Sequence, residues 1–134
     1  MHRLPKLVAL ATAMAMTITL AACGDNATSN SPAGTSSVKV GLITKFPVDF
    51  YDTMVDAVKQ YDTAHADVEV IYGQGKSGTD DEGEIAVIEN MVTQGVKAIA
   101  ITPTSPSVQG ALDKAVKAGI KVVLIDNDIP GWSG

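Results

Sequence analysis

The sequence predicts an α/β fold built on a doubly wound parallel sheet. Three observations point to it. Four short runs rich in β-branched residues recur along the chain: Val38–Ile43, Val68–Tyr72, Ala98–Ile101 and Val122–Ile125. The stretches between them carry helical period, which is the spacing of βαβ units. The first, third and fourth runs are almost continuously apolar, as expected of parallel strands covered on both faces, whereas Glu69 marks the second as an edge.

Each intervening helix has its own punctuation. The first places Phe50, Met54, Ala57, Val58 and Tyr61 at helical spacing, with Asp49 as its expected N-cap after Pro47. In the second, Ile85, Ile88 and Val92 form one stripe. Asp81 and Glu84 make an approximate capping box before it, and Gly95 supplies a left-handed stop. The third is expected to be capped by Ser105, with Pro106 at its first position. Val108, Leu112, Ala115 and Val116 then face inward until Gly119.

Right-handed crossovers and an edge-like second strand predict the sheet order 2-1-3-4. Ligands of such sheets bind beyond the carboxyl ends of the strands. That rule selects Thr44–Phe46, Gly73–Gly75, Thr102–Thr104 and Asp126–Asp128, with the favoured crevice between strands one and three, where the order reverses.

The region before the first strand reads differently. Arg3 and Lys6 precede an uncharged run from Leu7 to Ala22, the charged and apolar regions of a secretory signal. The run is diluted by threonines and falls short of the about 20 apolar residues that a spanning helix needs. Leu20-Ala21-Ala22-Cys23 resembles the lipobox of bacterial lipoproteins, so residues 1–22 are expected to be a cleaved signal peptide and Cys23 the lipidated residue. The alternative for a lone cysteine is a buried thiol. Cys23 is the only cysteine, so an internal disulfide is excluded. Residues 23–37 then form the lipidated end and a Ser-, Thr- and Gly-rich tether, and residues 38–134 form the folded part.

Residues 1–22 hold two of the basic residues and no acidic one, so their removal moves the formal charge of the 134-residue chain from −5 to −7. An acidic chain without a basic patch is not expected to bind nucleic acid.

Most local motifs fail on inspection. Gly75-Lys76-Ser77 imitates the end of a phosphate-binding loop, but Val70 stands where its first glycine belongs. Thr44-Lys45-Phe46-Pro47 has none of the glycines of a dinucleotide site. Asp126-Asn127-Asp128 opens like a calcium loop, yet Pro130 takes a ligand position. The acidic cluster Asp80, Asp81, Glu82 and Glu84 is read as complementing a helix dipole, and His65 as a solvated or capping histidine. Trp132, past the last strand, can stack on a ligand, pack under a further part of the protein beyond these elements, or stay loose, and the sequence leaves the three open. No metal or cofactor is therefore expected.

From Val38 to Pro130 the chain resembles the N-terminal lobe of sugar-type periplasmic binding proteins, the ribose-binding and related family that serves ABC importers. The likeness is carried by Val40-Gly41-Leu42-Ile43 with Phe50-Tyr51, by Ile88-Glu89-Asn90-Met91-Val92 with Gly95-Val96-Lys97-Ala98-Ile99, by Ile101-Thr102-Pro103-Thr104, and by Val123-Leu124-Ile125-Asp126. The resemblance implies the type I fold of periplasmic binding proteins, here the N-terminal lobe only, since family members add a second lobe of similar size.

It also implies site residues. Phe50 and Tyr51 match the aromatic pair that stacks on the sugar. Thr44 matches the polar end of the first strand, Thr102 the residue before the proline that follows the third, and Asp126 and Asn127 the pair after the fourth. Val48-Asp49 stands where many members have Asn-Pro, Thr102 where asparagine is common, and Asn127 where arginine is common, so the resemblance does not name the sugar.

The expected function is binding, with no bond broken: a monomeric, lipid-anchored extracytoplasmic receptor captures a monosaccharide or related polyol and presents it to an ABC permease. A sensor that hands the ligand-bound form to a membrane receptor shares these features. A flavodoxin-like enzyme would need a phosphate-cradling loop or a nucleophile with its base, and neither is present in the sequence.

Overall fold

The computed structural model describes residues 36–134. The expected signal peptide, Cys23 and nearly all of the expected tether lie outside the described residues. The domain consists of β1 (Val38–Thr44), α1 (Asp49–Ala64), β2 (Val68–Gln74), α2 (Asp81–Thr93), β3 (Ala98–Ile101), a 3-10 turn (Pro106–Val108), α3 (Gln109–Lys117) and β4 (Lys121–Leu124). The strands form one sheet in the order β2-β1-β3-β4, all neighbours parallel. This is the predicted topology, with β2 at the edge. There Lys39 faces Glu69 across the register at 3.9 Å, and the Asp62 carboxylate of α1 accepts the Val70 N–H at 2.7 Å.

Alternation along β1 separates two faces. Ile43 joins Ile99, Ile101, Ile88, Met91 and Leu112 in the main core, between the sheet and the paired helices α2 and α3. Gly41 lies on the same side, where an added Cβ would run into Met91. Burial of these side chains contributes about 1.5–3 kcal/mol each before the entropy of ordering is subtracted. On the other face α1 packs against β2. Beyond it lies an apolar groove of about 230 Å³ lined by Val40, Leu42, Val58, Tyr61, Ala100 and Val123, and Val123 is 57% exposed.

The helix stops fall as expected, at Gly95 with φ +74° and Gly119 with φ +83°. Ser105 caps the 3-10 turn by accepting the Ser107 N–H at 3.1 Å, and Pro106 opens the turn. Two starts differ from expectation. Helix α1 begins from Val48, whose carbonyl accepts the Tyr51 and Asp52 N–H groups, so Asp49 lies inside the first turn and acts on the dipole instead of capping. For α2 the cap is Asp80, one residue ahead of the expected box. It accepts the Gly83 N–H at 3.1 Å and the Lys76 N–H at 2.9 Å, which frees Asp81 and Glu84 to turn toward the loop after β3.

The inward stripe of α1 also differs. Tyr51 and Val55 are buried, with Met54 and Val58 partly so, while Phe50, Ala57 and Tyr61 are exposed. Apolar residues at 50, 51, 54, 55, 57, 58 and 61 fit two adjacent stripes, and the contacts made by Tyr51 select between them. His65 ends this helix, stacked on Tyr61 at 3.8 Å with Nδ1 at 2.8 Å from the Tyr61 carbonyl oxygen, as a capping histidine.

Candidate functional site

The carboxyl ends of the four strands gather the selected segments along one edge. Its centre is the crevice between β1 and β3. The Ile43 carbonyl accepts the Thr102 N–H at 3.0 Å, and the Thr102 hydroxyl accepts the Lys45 N–H at 3.0 Å. These bonds continue the β1–β3 pairing one step past the strands and fix where the two loops part. Thr44 is held on the other side, with Oγ1 at 3.1 Å from the Tyr72 hydroxyl and 3.5 Å from Gln74 Oε1. Tyr72 and Gln74 also hydrogen-bond each other.

Thr44 and Thr102 were expected to offer hydroxyls to a ligand. In this lobe both are 0% exposed and engaged internally. An unpaired buried polar group costs about 1–3 kcal/mol, so these internal partners stabilise the strand ends.

Tyr51, 5% exposed, projects from the first turn of α1 toward the end of β4, where its hydroxyl donates to Asp126 Oδ2 at 3.0 Å. The contact joins residues 75 apart in sequence. Burial, then the hydrogen bond and charge of Asp126, raise the Tyr51 pKa above that of an ordinary phenol, and the nearby Thr102 hydroxyl acts the other way. The phenol therefore remains a donor.

Asp126 has φ +62°, the one positive φ outside glycine among the described residues, and the Asn127 N–H reaches back to the Ile125 carbonyl at 2.6 Å. This i to i+2 bond is the γ-turn pattern, rare and strained for an L-residue. It turns the chain sharply out of the sheet and leaves Asp126 and Asn127 both exposed.

Phe50 is 63% exposed and meets the Tyr51 ring edge-on at 5.1 Å. Phe46, not singled out from the sequence, closes the other side of that ring at 5.8 Å and 89°, and itself packs over Gly78. An aromatic inside the strand-end window 44–46 was the available signal for it. The edge thus combines an open aromatic face, an exposed carboxylate and an exposed amide. An apolar surface stands beside groups able to hydrogen-bond.

Other candidates resolve as structure. Gly75-Lys76-Ser77 is a loop tied to Asp80. Trp132 packs against the core of this lobe and donates from Nε1 to Asp113 at 2.7 Å, a placement that none of its three open readings named. The acidic cluster is more than a dipole complement. Asp80 caps, while Asp81 and the fully buried Glu84 hold the loop after β3 through Thr104 and Ser105. Among the described residues no group of three or more His, Cys, Asp or Glu is arranged to hold a metal ion.

A parallel α/β lobe whose strand order reverses between β1 and β3 has the architecture in which ligands sit beyond the carboxyl ends of the strands. Comparison with known proteins makes the class specific. The family described as periplasmic binding protein domain matches residues 40–134. The D-ribose/D-allose-binding protein of Pseudomonas aeruginosa is 40% identical over 92 residues, which cover 66% of this chain and 29% of that protein. A solute-binding protein of an ABC transporter from Burkholderia multivorans superposes with a TM-score of 0.68 at 31% identity, covering 72% of this chain and 35% of the other. One from Burkholderia graminis, in complex with D-arabinose, gives 0.61 at 28% identity, with coverages of 72% and 33%.

The chain belongs to the periplasmic binding protein family, a family of solute-binding proteins, and corresponds to part of its N-terminal lobe. It spans 29% to 35% of the length of these three relatives.

Proposed function

We propose that the chain is the N-terminal half of an extracytoplasmic receptor that captures a monosaccharide or related polyol and delivers it to an ABC permease. The observation that carries this reading is the Tyr51–Asp126 hydrogen bond at 3.0 Å, which joins the aromatic pair and the acid on one exposed edge. Relatives named for D-ribose and D-allose, and one in complex with D-arabinose, support a pentose or hexose as the ligand class.

In the proposed mechanism Phe50 and Tyr51 supply the apolar wall. Asp126 accepts sugar hydroxyls while its Oδ2 is steadied by the Tyr51 phenol, and Asn127 adds amide contacts. Thr44 and Thr102, buried in this lobe, hold the strand ends against which a ligand rests. The second wall comes from an opposing lobe, and the liganded monomer is what the permease reads. Residues 1–22 serve as the export signal, Cys23 as the lipid anchor and residues 24–37 as the tether.

The test is titration of the chain with D-ribose, D-allose and D-arabinose, followed by backbone NMR. One lobe leaves the ligand half solvated, so binding is expected to be weak, with shifts concentrated at Phe50, Tyr51, Asp126 and Asn127. Shifts centred elsewhere, or tight binding at the micromolar level by this lobe alone, would overturn the two-walled site.

A further inference from the structure

Glu84 is a fully buried acid that the ligand site does not use directly. Oε2 lies 2.8 Å from the Thr104 N and 2.9 Å from the Thr104 Oγ1, while Oε1 has no partner. The same Thr104 hydroxyl is 2.7 Å from Asp81 Oδ1, and Ser105 Oγ is 2.9 Å from Asp81 Oδ2.

Counting protons decides the direction of this chain. Thr104 has one hydroxyl proton and two acid oxygens in reach. With both acids ionised, one of the two contacts would be oxygen against oxygen with nothing between. Asp81 accepts from Ser105 on its other oxygen, whereas the other oxygen of Glu84 is buried without a partner, so the missing proton is assigned to Glu84: Oε2–H donates to Thr104 Oγ1, while Oε2 still accepts the Thr104 N–H, and the Thr104 hydroxyl proton goes to Asp81. The unpartnered Oε1 agrees, since a lone buried carbonyl oxygen costs less than a lone buried carboxylate oxygen.

We propose that Glu84 is a positioning residue that acts as a neutral donor, and that the relay Glu84–Thr104–Asp81 holds the strand-end loop Thr102–Ser105 only while that proton is retained. The loop carries Thr102, which fixes the β1–β3 crevice through Lys45. The stabilising role stands on the fold alone; the consequence for ligand affinity rests on the sugar-site reading.

The ionisable groups that face Glu84 are Asp81 from its own helix, Lys45 after β1 and Tyr51 from α1. The loop and the 3-10 turn bring hydroxyls and no charge. Burial, the largest influence, raises the Glu84 pKa above the ordinary glutamate value, and the Asp81 charge adds to the shift. The Thr104 bonds and Lys45 oppose it. The Thr104 and Ser105 bonds hold the Asp81 pKa low, as befits the acceptor end.

A raised acid stabilises the fold below its unfolded pKa, and that contribution is lost as pH rises through the folded pKa. Urea unfolding of the full chain across pH 4 to 8 should show the unfolding constant rising by up to about tenfold per pH unit above the ordinary value of 4.5, levelling at the folded value. Glu84→Gln should remove this rise, because the amide has no proton to lose in this range; its nitrogen can donate to Thr104 Oγ1 but cannot accept the Thr104 N–H, so the variant should also be somewhat less stable at every pH. A parent profile with the same pH slope as Glu84→Gln above 4.5 would overturn the proposal.

Should that variant not fold, the Glu84 carboxyl ¹³C titration in the parent decides: a midpoint above 4.5 supports the relay and one at or below it refutes it. Neither readout involves sugar, so failure of the ligand reading leaves this test intact.

Discussion

The strained turn at Asp126 makes stability and binding separable at one residue. An L-residue in the left-handed region loses about 1–2 kcal/mol, less for Asp and Asn than for Ala, and glycine loses none. The Tyr51 bond to an exposed carboxylate contributes about 1 kcal/mol. Asp126→Ala gives up that bond and raises the backbone penalty from that of Asp to that of Ala, for a loss of about 1–2 kcal/mol. Asp126→Gly gives up the same bond and gains about 1 kcal/mol of relieved strain, the smaller penalty that Asp carries, against about 0.5–1 kcal/mol of extra chain entropy. It should therefore lie within about 1 kcal/mol of the parent. Asp126→Asn keeps both a local acceptor and the tolerance for φ +62° and should stay close to the parent.

Denaturant midpoints of the chain should thus rank Asn and Gly above Ala. For affinity, the lobe would be joined to the second lobe of the Pseudomonas aeruginosa relative. There Asp126→Ala and Asp126→Gly should both weaken sugar binding about ten- to a hundredfold, since hydrogen bonds to a charged group contribute about 1.5–3 kcal/mol. Asp128→Ala, whose carboxylate accepts only its neighbour's Ile129 N–H at 2.8 Å, serves as the control with little change. A glycine variant as unstable as the alanine one would show that φ is not the source of the cost. Parental affinity in all the Asp126 variants would remove Asp126 from the site.

Two further outcomes are expected. Cys23→Ser should abolish fatty-acid labelling and membrane retention in cells, and unchanged labelling would refute the lipid anchor. Gly75→Ala should destabilise the chain by about 1–3 kcal/mol, because its Cβ would lie 2.8 Å from the Lys45 carbonyl oxygen and force the loops after β1 and β2 apart. Unfolding midpoints check it, and a neutral substitution would show that the two loops yield freely.

The β2 edge was legible from Glu69, but β4, expected to be covered on both faces, lies at the other edge of the described sheet with Val123 57% exposed, because continuous apolar residues do not themselves say which faces are covered. Helix stops were legible because Gly95 and Gly119 satisfy a local backbone need. Helix starts were read less well at Asp49 and at Asp81. Several acids stand near each start, and which one caps depends on what the neighbouring loop offers the others. At Asp81 and Glu84 that offer is made by Thr104 and Ser105, twenty or more residues away.

The ligand edge divides in the same way. Parallel order and right-handed crossovers are consequences of local periodicity, so the sequence by itself determined the sheet and the edge on which Thr44, Thr102 and Asp126 fall. Tertiary structure alone decided how their side chains are used: Thr44 and Thr102 turned inward, Tyr51 chosen over Phe50 as the buried ring, Asp126 driven to a positive φ and bonded to a phenol 75 residues away. Periodicity constrains which face a residue occupies. Hydrogen-bond satisfaction and proton count depend on atoms that meet only when distant segments pack, which is why Glu84 looked like one more acid at a helix start until the loop above it was in place.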